Sequence, residues 1–367
     1  MMFNLNAGLA SAGRHLVALA SLVGKHADTL SSDKAQADRV GLVAIFARLK
    51  TTIIAMTLLT LTASAASAAT GFYVSGRSLK DANGNNFYPR GVNNPHIWFD
   101  SQAYNVLGNL AARRTNCIRI VWSRSGSASR LDQILQRCKD LKMVPMVEIH
   151  DGTGSDNPND LISNANYFAR TDVANVLKKH QRYVLVNITN EWGSYYKSAY
   201  DWKQAYKQPI TIIRNAGIVT TLVIDGPNWG QNYAPGVQYG QELLNHDPRH
   251  NLLFSVHMYG SYNGSTSVND AMRAYYNANL PLVIGEFGYD YNSGNNNLGC
   301  RVDHRKVMQY ANQYGYGYIA WSTQGNDSGN AWLDMMTGWS GTTWWGNEIY
   351  YNNTYSIYNT ARPSTAF

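Results

Sequence analysis

At 367 residues, 44% of them hydrophobic and 15% charged, the chain holds enough apolar surface for one large core or two modest ones, which excludes an intrinsically disordered protein. Its formal charge of +7 is spread without a basic run, the pattern of a solvated surface and not of a nucleic-acid footprint, so no nucleic-acid partner is expected. Ten Trp and 25 Tyr stand out instead, because flat aromatic faces fill cores and also pack against the C–H faces of sugar rings.

Taken in chain order, Lys50 precedes an apolar stretch at 53–61 that runs into Ala66-Ser67-Ala68, the order of a secretory signal with its cleavage site. The stretch is too short to span a bilayer as a helix. The expectation is a leader over residues 1–68, cleaved near 68/69, and a secreted, extracellular domain over 69–367 with no stable membrane association once the signal is gone. A signal anchor is the alternative, and residues 1–50 have no assigned role.

From residue 87 onward eight strand-like runs recur, at 87–94, 117–123, 143–151, 183–191, 220–228, 252–260, 280–288 and 317–325. Helix-period segments lie between them, such as Leu131, Ile134, Leu135, Cys138 and Leu141, or Val302, Val307, Tyr310, Ala311 and Tyr314. Alternation of this kind makes a parallel sheet with right-handed crossovers, and eight units give an α/β fold of the closed (β/α)8 TIM-barrel type. A doubly wound open sheet is the alternative, but Arg90-Gly91-Val92-Asn93-Asn94 is not its Gly-rich phosphate loop. Cys117, Cys138 and Cys300 lack zinc-site spacing. Cys117 shares a strand face with Arg119 inside the barrel while Cys138 falls on an outer helix, which argues against a bridge between them. The tail at 332–367 is expected over the last barrel unit.

Parallel barrel strands open their C-terminal ends on one face, and alternate residues of a strand share a side. Inward positions at those ends collect Arg119, His150, Glu191, His257, Tyr259, Glu286 and Trp321 around one opening. Thr189 falls in phase with Glu191, and Asn190 reaches the opening where the strand end bends. Two facing carboxylates, Glu191 and Glu286, are the equipment of glycoside hydrolysis. An Arg and a Tyr hydroxyl beside one keep it ionised, and burial near the other raises its proton affinity. Glu148 lies deeper on its strand, and Asp151 and Asp225 rank below the glutamates as strand-end rivals. His246 and His250 have metal-like spacing, but Pro248 between them argues for a surface loop. With no P-loop, Ser-centred elbow or HExxH stretch, no metal or other cofactor is called for.

The motifs also carry a resemblance. Arg-Gly-Val-Asn at 90–93, His96, Trp98, Ile-Arg-Ile-Val at 118–121, Glu-Ile-His-Asp-Gly-Thr-Gly at 148–154, Asn-Glu-Trp at 190–192, Trp-Gly-Gln at 229–231, His-Met-Tyr at 257–259, Ile-Gly-Glu-Phe-Gly at 284–288 and Ala-Trp-Ser at 320–322 follow one another in order. Together they resemble glycoside hydrolase family 5 and, within it, the bacterial-type endo-β-1,4-mannanases of subfamily 8. The resemblance implies a retaining enzyme with Glu191 as acid/base and Glu286 as nucleophile. It further implies Arg119 and Tyr259 orienting the nucleophile, His257 near the acid/base, Asn190 toward the sugar 2-hydroxyl and His150 in the active site. His96, Trp98, Trp192 and Trp321 are the implied substrate-binding residues, with Trp321 flooring the subsite of the cleaved sugar. The implied substrate is a β-1,4-linked polysaccharide: mannan, glucomannan or galactomannan. Where the mannanases continue Ala-Trp-Ser with Trp-Tyr-Gly-Asn, this chain has Thr323-Gln324-Gly325-Asn326. That departure keeps an endo-β-1,4-glucanase or a dual-specificity hydrolase open as the alternative, and a non-catalytic sugar-binding barrel is the alternative of another class.

Overall fold

The computed structural model describes residues 70–367. The expected secretory signal, with Lys50 and Ala66-Ser67-Ala68, lies outside the described residues. Among the described residues, no helix is long and apolar enough to cross a membrane.

A hairpin absent from the strand-like runs, β1 (Tyr73–Ser75) and β2 (Ser78–Lys80), comes first. The barrel strands follow, one within each run: β3 (Arg90–Asn94), β4 (Cys117–Trp122), β5 (Val144–Ile149), β6 (Leu185–Asn187), β7 (Leu222–Asp225), β8 (Leu252–Met258), β9 (Leu282–Phe287) and β10 (Gly317–Ala320). They pair in parallel and close in the order β10-β3-β4-β5-β6-β7-β8-β9, which removes the open-sheet alternative. The crossovers hold α1 (His96–Ala112), α2 (Ala128–Asp140), α3 (Pro158–Ala169), α4 (Thr171–Lys179), α5 (Ala199–Asn215), α6 (Ala234–His246), α7 (Ser265–Asn277) and α8 (His304–Tyr314). Two short helices, α9 (Trp344–Tyr350) and α10 (Ile357–Thr360), lie in the tail.

Local chemistry explains the elements. In α2, Ser127 caps the N-terminus by accepting from the Arg130 N–H, Leu131, Ile134, Leu135 and Cys138 form the buried stripe, and Arg137 and Lys139 sit in the last turn. His246 is the last residue of α6 and not a loop residue, since Pro248 falls after the helix has ended.

Inside the barrel, side chains stack in layers. Cys117, Met146, Leu185, Val223, Leu253, Val283 and Ile319 form an apolar lower core, plugged from below by Phe72, Leu79 and Phe87. Two residues further along the same strands, Arg119, Glu148, Asn187, Asp225 and Ser255 are buried and polar. The barrel is thus a greasy stem under a charged floor, where burial of so many polar groups is costly unless they are paired. Cys117 lies within the stem and Cys138 in the outer core, and Cys117, Cys138 and Cys300 are all free and buried. The tail joins both ends of the barrel. Trp345 Nε1 donates to the Trp321 carbonyl at 2.8 Å, and Phe367 reaches Tyr183 beneath, with ring centroids 5.3 Å apart.

Candidate active site

Arg119, fully buried on β4, is the hub of the charged floor. Nε donates to Asn187 Oδ1 at 3.0 Å, Nη1 to Asn93 Oδ1 at 2.9 Å and to Glu286 Oε1 at 2.7 Å, and Nη2 to Asn190 Oδ1 at 2.7 Å. Asp225 Oδ2 and Glu148 Oε1 stand 3.5 and 3.9 Å from Nη2. A planar fork held by several acceptors has one orientation, so the carboxylate it grips is fixed too. The Tyr259 hydroxyl donates to the other oxygen of Glu286 at 2.9 Å.

Both glutamates reach this floor where strand alternation breaks. β6 ends at Asn187, and Thr189 turns outward, its hydroxyl accepting from Asn164 Nδ2 of α3 at 2.9 Å, so Thr189 does not share a face with Glu191 as alternation predicts. Asn190 turns inward to Arg119, with Nδ2 on Thr153 Oγ1 at 3.0 Å. Glu191 then takes a left-handed backbone, φ 48°, held by its N–H donating to Asp225 Oδ2 at 3.0 Å and its carbonyl accepting from the Gly154 N–H at 2.9 Å. On β9, Ile284 pairs with Val256 and Glu286 with His257, leaving Gly285 as an extra residue. This bulge shifts the phase, so Ile284 faces the outer core while Glu286 faces Arg119. Glycine is needed there, because a Cβ would lie 2.3 Å from Ser255 Oγ.

One oxygen of Glu191, one of Glu286 and a ring nitrogen of His257 lie within 4.8 Å of one another. Among the described residues, these three side chains form the group able to offer ligand atoms to a cation, although the Arg119 guanidinium already supplies positive charge at Glu286. His257 Nδ1 is 2.7 Å from Glu191 Oε1 and 3.6 Å from Glu286 Oε1, and Nε2 faces Asp225 Oδ2 at 3.6 Å. Burial, then Arg119 and His150, holds His257 far below its ordinary pKa, so the ring is neutral and serves as either donor or acceptor toward Glu191. Burial opposes a proton on His150, but Glu148, with Oε1 2.7 Å from Nδ1, outweighs it and raises His150.

Four carboxyl groups, Glu148, Glu191, Asp225 and Glu286, therefore face Arg119 and His150. Burial first, then Glu286 and Asp225, drives the Glu191 carboxyl well up. Burial also raises Glu286, but Arg119, His150 and the Tyr259 hydroxyl pull against it. Both carboxyls end up raised, Glu286 to about 7, and Arg119 opposes both; His150 and the Tyr259 hydroxyl further oppose the rise of Glu286, so Glu191 holds a proton the more strongly of the two.

Above the floor opens a cleft of about 930 Å³ lined by Glu191, Glu286, Trp98, Trp229, Tyr259 and Trp321. Trp98 is 52% exposed and Trp229 41%, large values for side chains so apolar. His150 stacks near Trp321 (centroids 6.1 Å apart, planes 23°) and meets the edge of Trp98 at 5.1 Å, so the three rings form one wall. Trp321 Nε1 is tied to Asn326 Oδ1 at 2.8 Å.

Two expected substrate contacts are corrected. Trp192 is fully buried in the outer core, its Nε1 donating to the Asn157 carbonyl at 3.0 Å, because the residue after Glu191 points away from the cleft. His96 is 1% exposed at the start of α1, between Asn94 Nδ2 at 3.1 Å and Asp100 Oδ1 at 3.3 Å, and does not line the cleft. Conversely, Asp225, ranked only as a rival, ties the Glu191 backbone to Arg119. Asn93 was within reach of the alternation rule, being the last inward position of β3. Trp229 sits in a left-handed turn, φ 50°, beyond the end of β7, where alternation carries no information.

Residues 80–327 match the family model for cellulase, glycosyl hydrolase family 5. The chain is 39% identical over 331 residues to a mannan endo-1,4-beta-mannosidase of Cellvibrio japonicus, spanning 87% of this chain and 75% of that protein. With one from Salipaludibacillus agaradhaerens it shares 36% over 306 residues, 81% of this chain and 96% of that protein. Among solved structures, the catalytic domain of a mannanase from Streptomyces sp. SirexAA-E superposes with a TM-score of 0.74 at 32% identity, covering 82% of this chain and 95% of that one. A mannohexaose complex of the Thermomonospora fusca β-mannanase gives 0.73 at 31%, covering 81% and 99%. The family match takes in more than half of the chain and runs through Arg119, Glu191 and Glu286 alike, so this barrel belongs to glycoside hydrolase family 5.

Proposed function

We propose that the protein is a retaining endo-β-1,4-mannanase acting on mannan, glucomannan or galactomannan, with Glu286 as nucleophile and Glu191 as acid/base. The observation that carries the chemistry is the short spacing of two unlike carboxyls. Retaining glycosidases hold theirs about 5 to 5.5 Å apart, whereas an inverting pair stands about 6.5 to 9.5 Å apart to admit a water. With oxygens of Glu191 and Glu286 inside 4.8 Å, Glu286 has room to attack the sugar directly.

In the first step the Glu286 carboxylate forms a bond to the anomeric carbon. The bond from that carbon to the leaving sugar's oxygen breaks, and the Glu191 proton passes to that oxygen. In the second step Glu191, now a carboxylate, takes a proton from water whose oxygen attacks the same carbon, and Glu286 is released. Arg119 and the Tyr259 hydroxyl favour the charged form of Glu286 and aim it, and His257 holds Glu191 from the side. Trp321 floors the cleaved sugar, with Trp98 alongside it, and Asn190 is assigned to the 2-hydroxyl. The mannan preference is supported by the relatives named above and by the mannohexaose bound to one structural neighbour. Secretion is proposed from the signal-like order at 50–68.

The second reading, an endo-β-1,4-glucanase or dual-specificity enzyme, is favoured by one observation: Gln324 stands in the cleft wall where the mannanase pattern has an aromatic residue. Reducing-sugar release from mannan against soluble cellulose, with Glu286→Ala as control, separates the readings. Rapid cleavage of mannan with the β-anomer as first product is expected. Preference for cellulose would overturn the substrate, a first product of α configuration would overturn the retaining mechanism, and equal activity of the control would overturn the nucleophile.

A further inference from the structure

The loop after β10 is fixed with unusual care. Thr323 N–H and Oγ1 both donate to the Asn93 carbonyl at 2.9 Å, and Asn326 Nδ2 donates to Asp334 Oδ1 at 2.6 Å. Between these anchors Gly325 takes φ 102° with Phe99 packed where a Cβ would be, 2.4 Å from Phe99 Cε2. Phe99 in turn packs on Trp339, with centroids 5.7 Å apart. The half-buried Gln324 side chain is thereby held in the cleft wall. Its Oε1 lies 2.6 Å from the Trp339 backbone nitrogen. A backbone N–H only donates, so the atom facing it must be the amide oxygen and the amide's identity is not interchangeable. Among the described residues no acceptor takes the Gln324 NH2 group, which leaves two donors without a partner on a residue that lines the cleft.

The barrel order says which sugar those donors meet. β10 stands directly across the ring from β6, and β3 from β7. Glu191, beyond β6, must lie beside the leaving group it protonates, with Trp229 beyond β7 on the same aglycone side. Gln324, beyond β10, and Trp98 and Phe99, beyond β3, therefore border the opposite, glycone side, past the Trp321 floor.

We propose that Gln324 is a specificity-determining residue, whose amide N–H donates to a hydroxyl of the sugar one position to the glycone side of the cleaved residue. A directional hydrogen bond replaces the aromatic face expected there. Stacking tolerates any sugar with an apolar face, whereas a polar site built for one hydroxyl discriminates by its position. The inference rests on the mannanase reading for the identity of the sugar and on the glycosidase roles for the direction of the cleft.

The test compares 2,4-dinitrophenyl β-mannoside, which leaves that subsite empty, with the corresponding β-mannobioside, which fills it. Gln324→Met removes the donors at similar volume. Gln324→Glu keeps an oxygen for the Trp339 N–H while removing the donors, so the two variants separate loss of the anchor from loss of the contact. Both should lower kcat/KM for the mannobioside about tenfold, the worth of one hydrogen bond, and leave the mannoside unchanged with melting temperature preserved. Equal change on both substrates, or no change on the mannobioside, overturns the proposal. The glucoside and cellobioside analogues run in parallel distinguish the two levels of argument. Activity on that pair alone overturns the mannan reading, and the same Gln324 comparison is then made there; inactivity of the wild-type protein on all four overturns both.

Discussion

Asp225 offers the sharpest probe of how the site sets its protonation. The side chain is fully buried and faces the Glu191 N–H at 3.0 Å, Arg119 Nη2 at 3.5 Å, His257 Nε2 at 3.6 Å and Asn187 Nδ2 at 3.3 Å, with Glu148 the nearby like charge. Asp225→Asn keeps an oxygen for the Glu191 N–H and removes one negative charge. The His257 ring bridges Asp225 and Glu191, with contacts of 3.6 and 2.7 Å on its two nitrogens. Unit charges roughly 7 Å apart at an effective dielectric near 20 interact by about 2 kcal/mol, or roughly 1.5 pH units. Glu191 is held above its ordinary value of 4.5 by burial first, then by Glu286 and Asp225. With Glu191 as the proposed acid, activity requires its proton and is lost as pH rises through that pKa. Lowering the pKa therefore moves the basic limb of the kcat/KM profile to lower pH, by about 1 to 2 units. The acid limb, set by Glu286, moves less because the Arg119 guanidinium stands between the two carboxylates. The assay is the pH profile on a mannan oligosaccharide, with melting temperature measured alongside. A basic limb that stays in place or moves to higher pH in a folded variant would refute the electrostatic argument.

Glu191→Ala should cripple mannan cleavage yet still form the glycosyl-enzyme from an activated aryl mannoside, since a good leaving group departs without a proton. Azide should then restore turnover and yield the β-mannosyl azide; an α-azide would mean the two inversions do not occur. Trp98→Ala and Trp192→Ala form a contrasting pair. The exposed Trp98 should cost catalytic efficiency about tenfold with little change in melting temperature, whereas the buried Trp192 should cost about 3 to 5 kcal/mol of stability with no change in KM of the folded fraction. The reverse pattern, measured by thermal unfolding and oligosaccharide kinetics, would put Trp192 back in the cleft.

The fold was legible because each barrel strand carries its own apolar run bounded by helix-period segments, and each of the eight runs contains one strand. The hairpin β1–β2 leaves no such run because its three-residue strands are mostly half-buried, whereas the equally short β6 is fully buried within a longer apolar stretch. The site was legible by position at the ends of the runs, but not in the detail that aims it. The family resemblance implied that His96 and Trp192 would touch sugar. Adjacent side chains diverge where the backbone leaves a strand, and both turned into the packing.

Alternation fails at both glutamates for one physical reason. A regular strand end directs side chains toward the barrel axis or the surrounding helices, whereas this chemistry requires carboxyls from β6 and β9 to converge on one bond. β6 achieves this by stopping at Asn187 and bending, with Asp225 and Gly154 holding Glu191 in its left-handed turn. β9 achieves it by a bulge at Gly285, which the lack of a Cβ permits. The pattern of apolar residues encodes burial and so reports the regular strands. The bends are encoded in single glycines and in polar partners brought from other strands, above all Asp225, whose purpose becomes readable only when β7 is seen beside the end of β6. Gly285 sits inside an apolar run, where an isolated glycine marks a bulge or a close backbone approach. Together with a carboxylate as the next residue, it was the one local sign that the strand changes phase before its functional end.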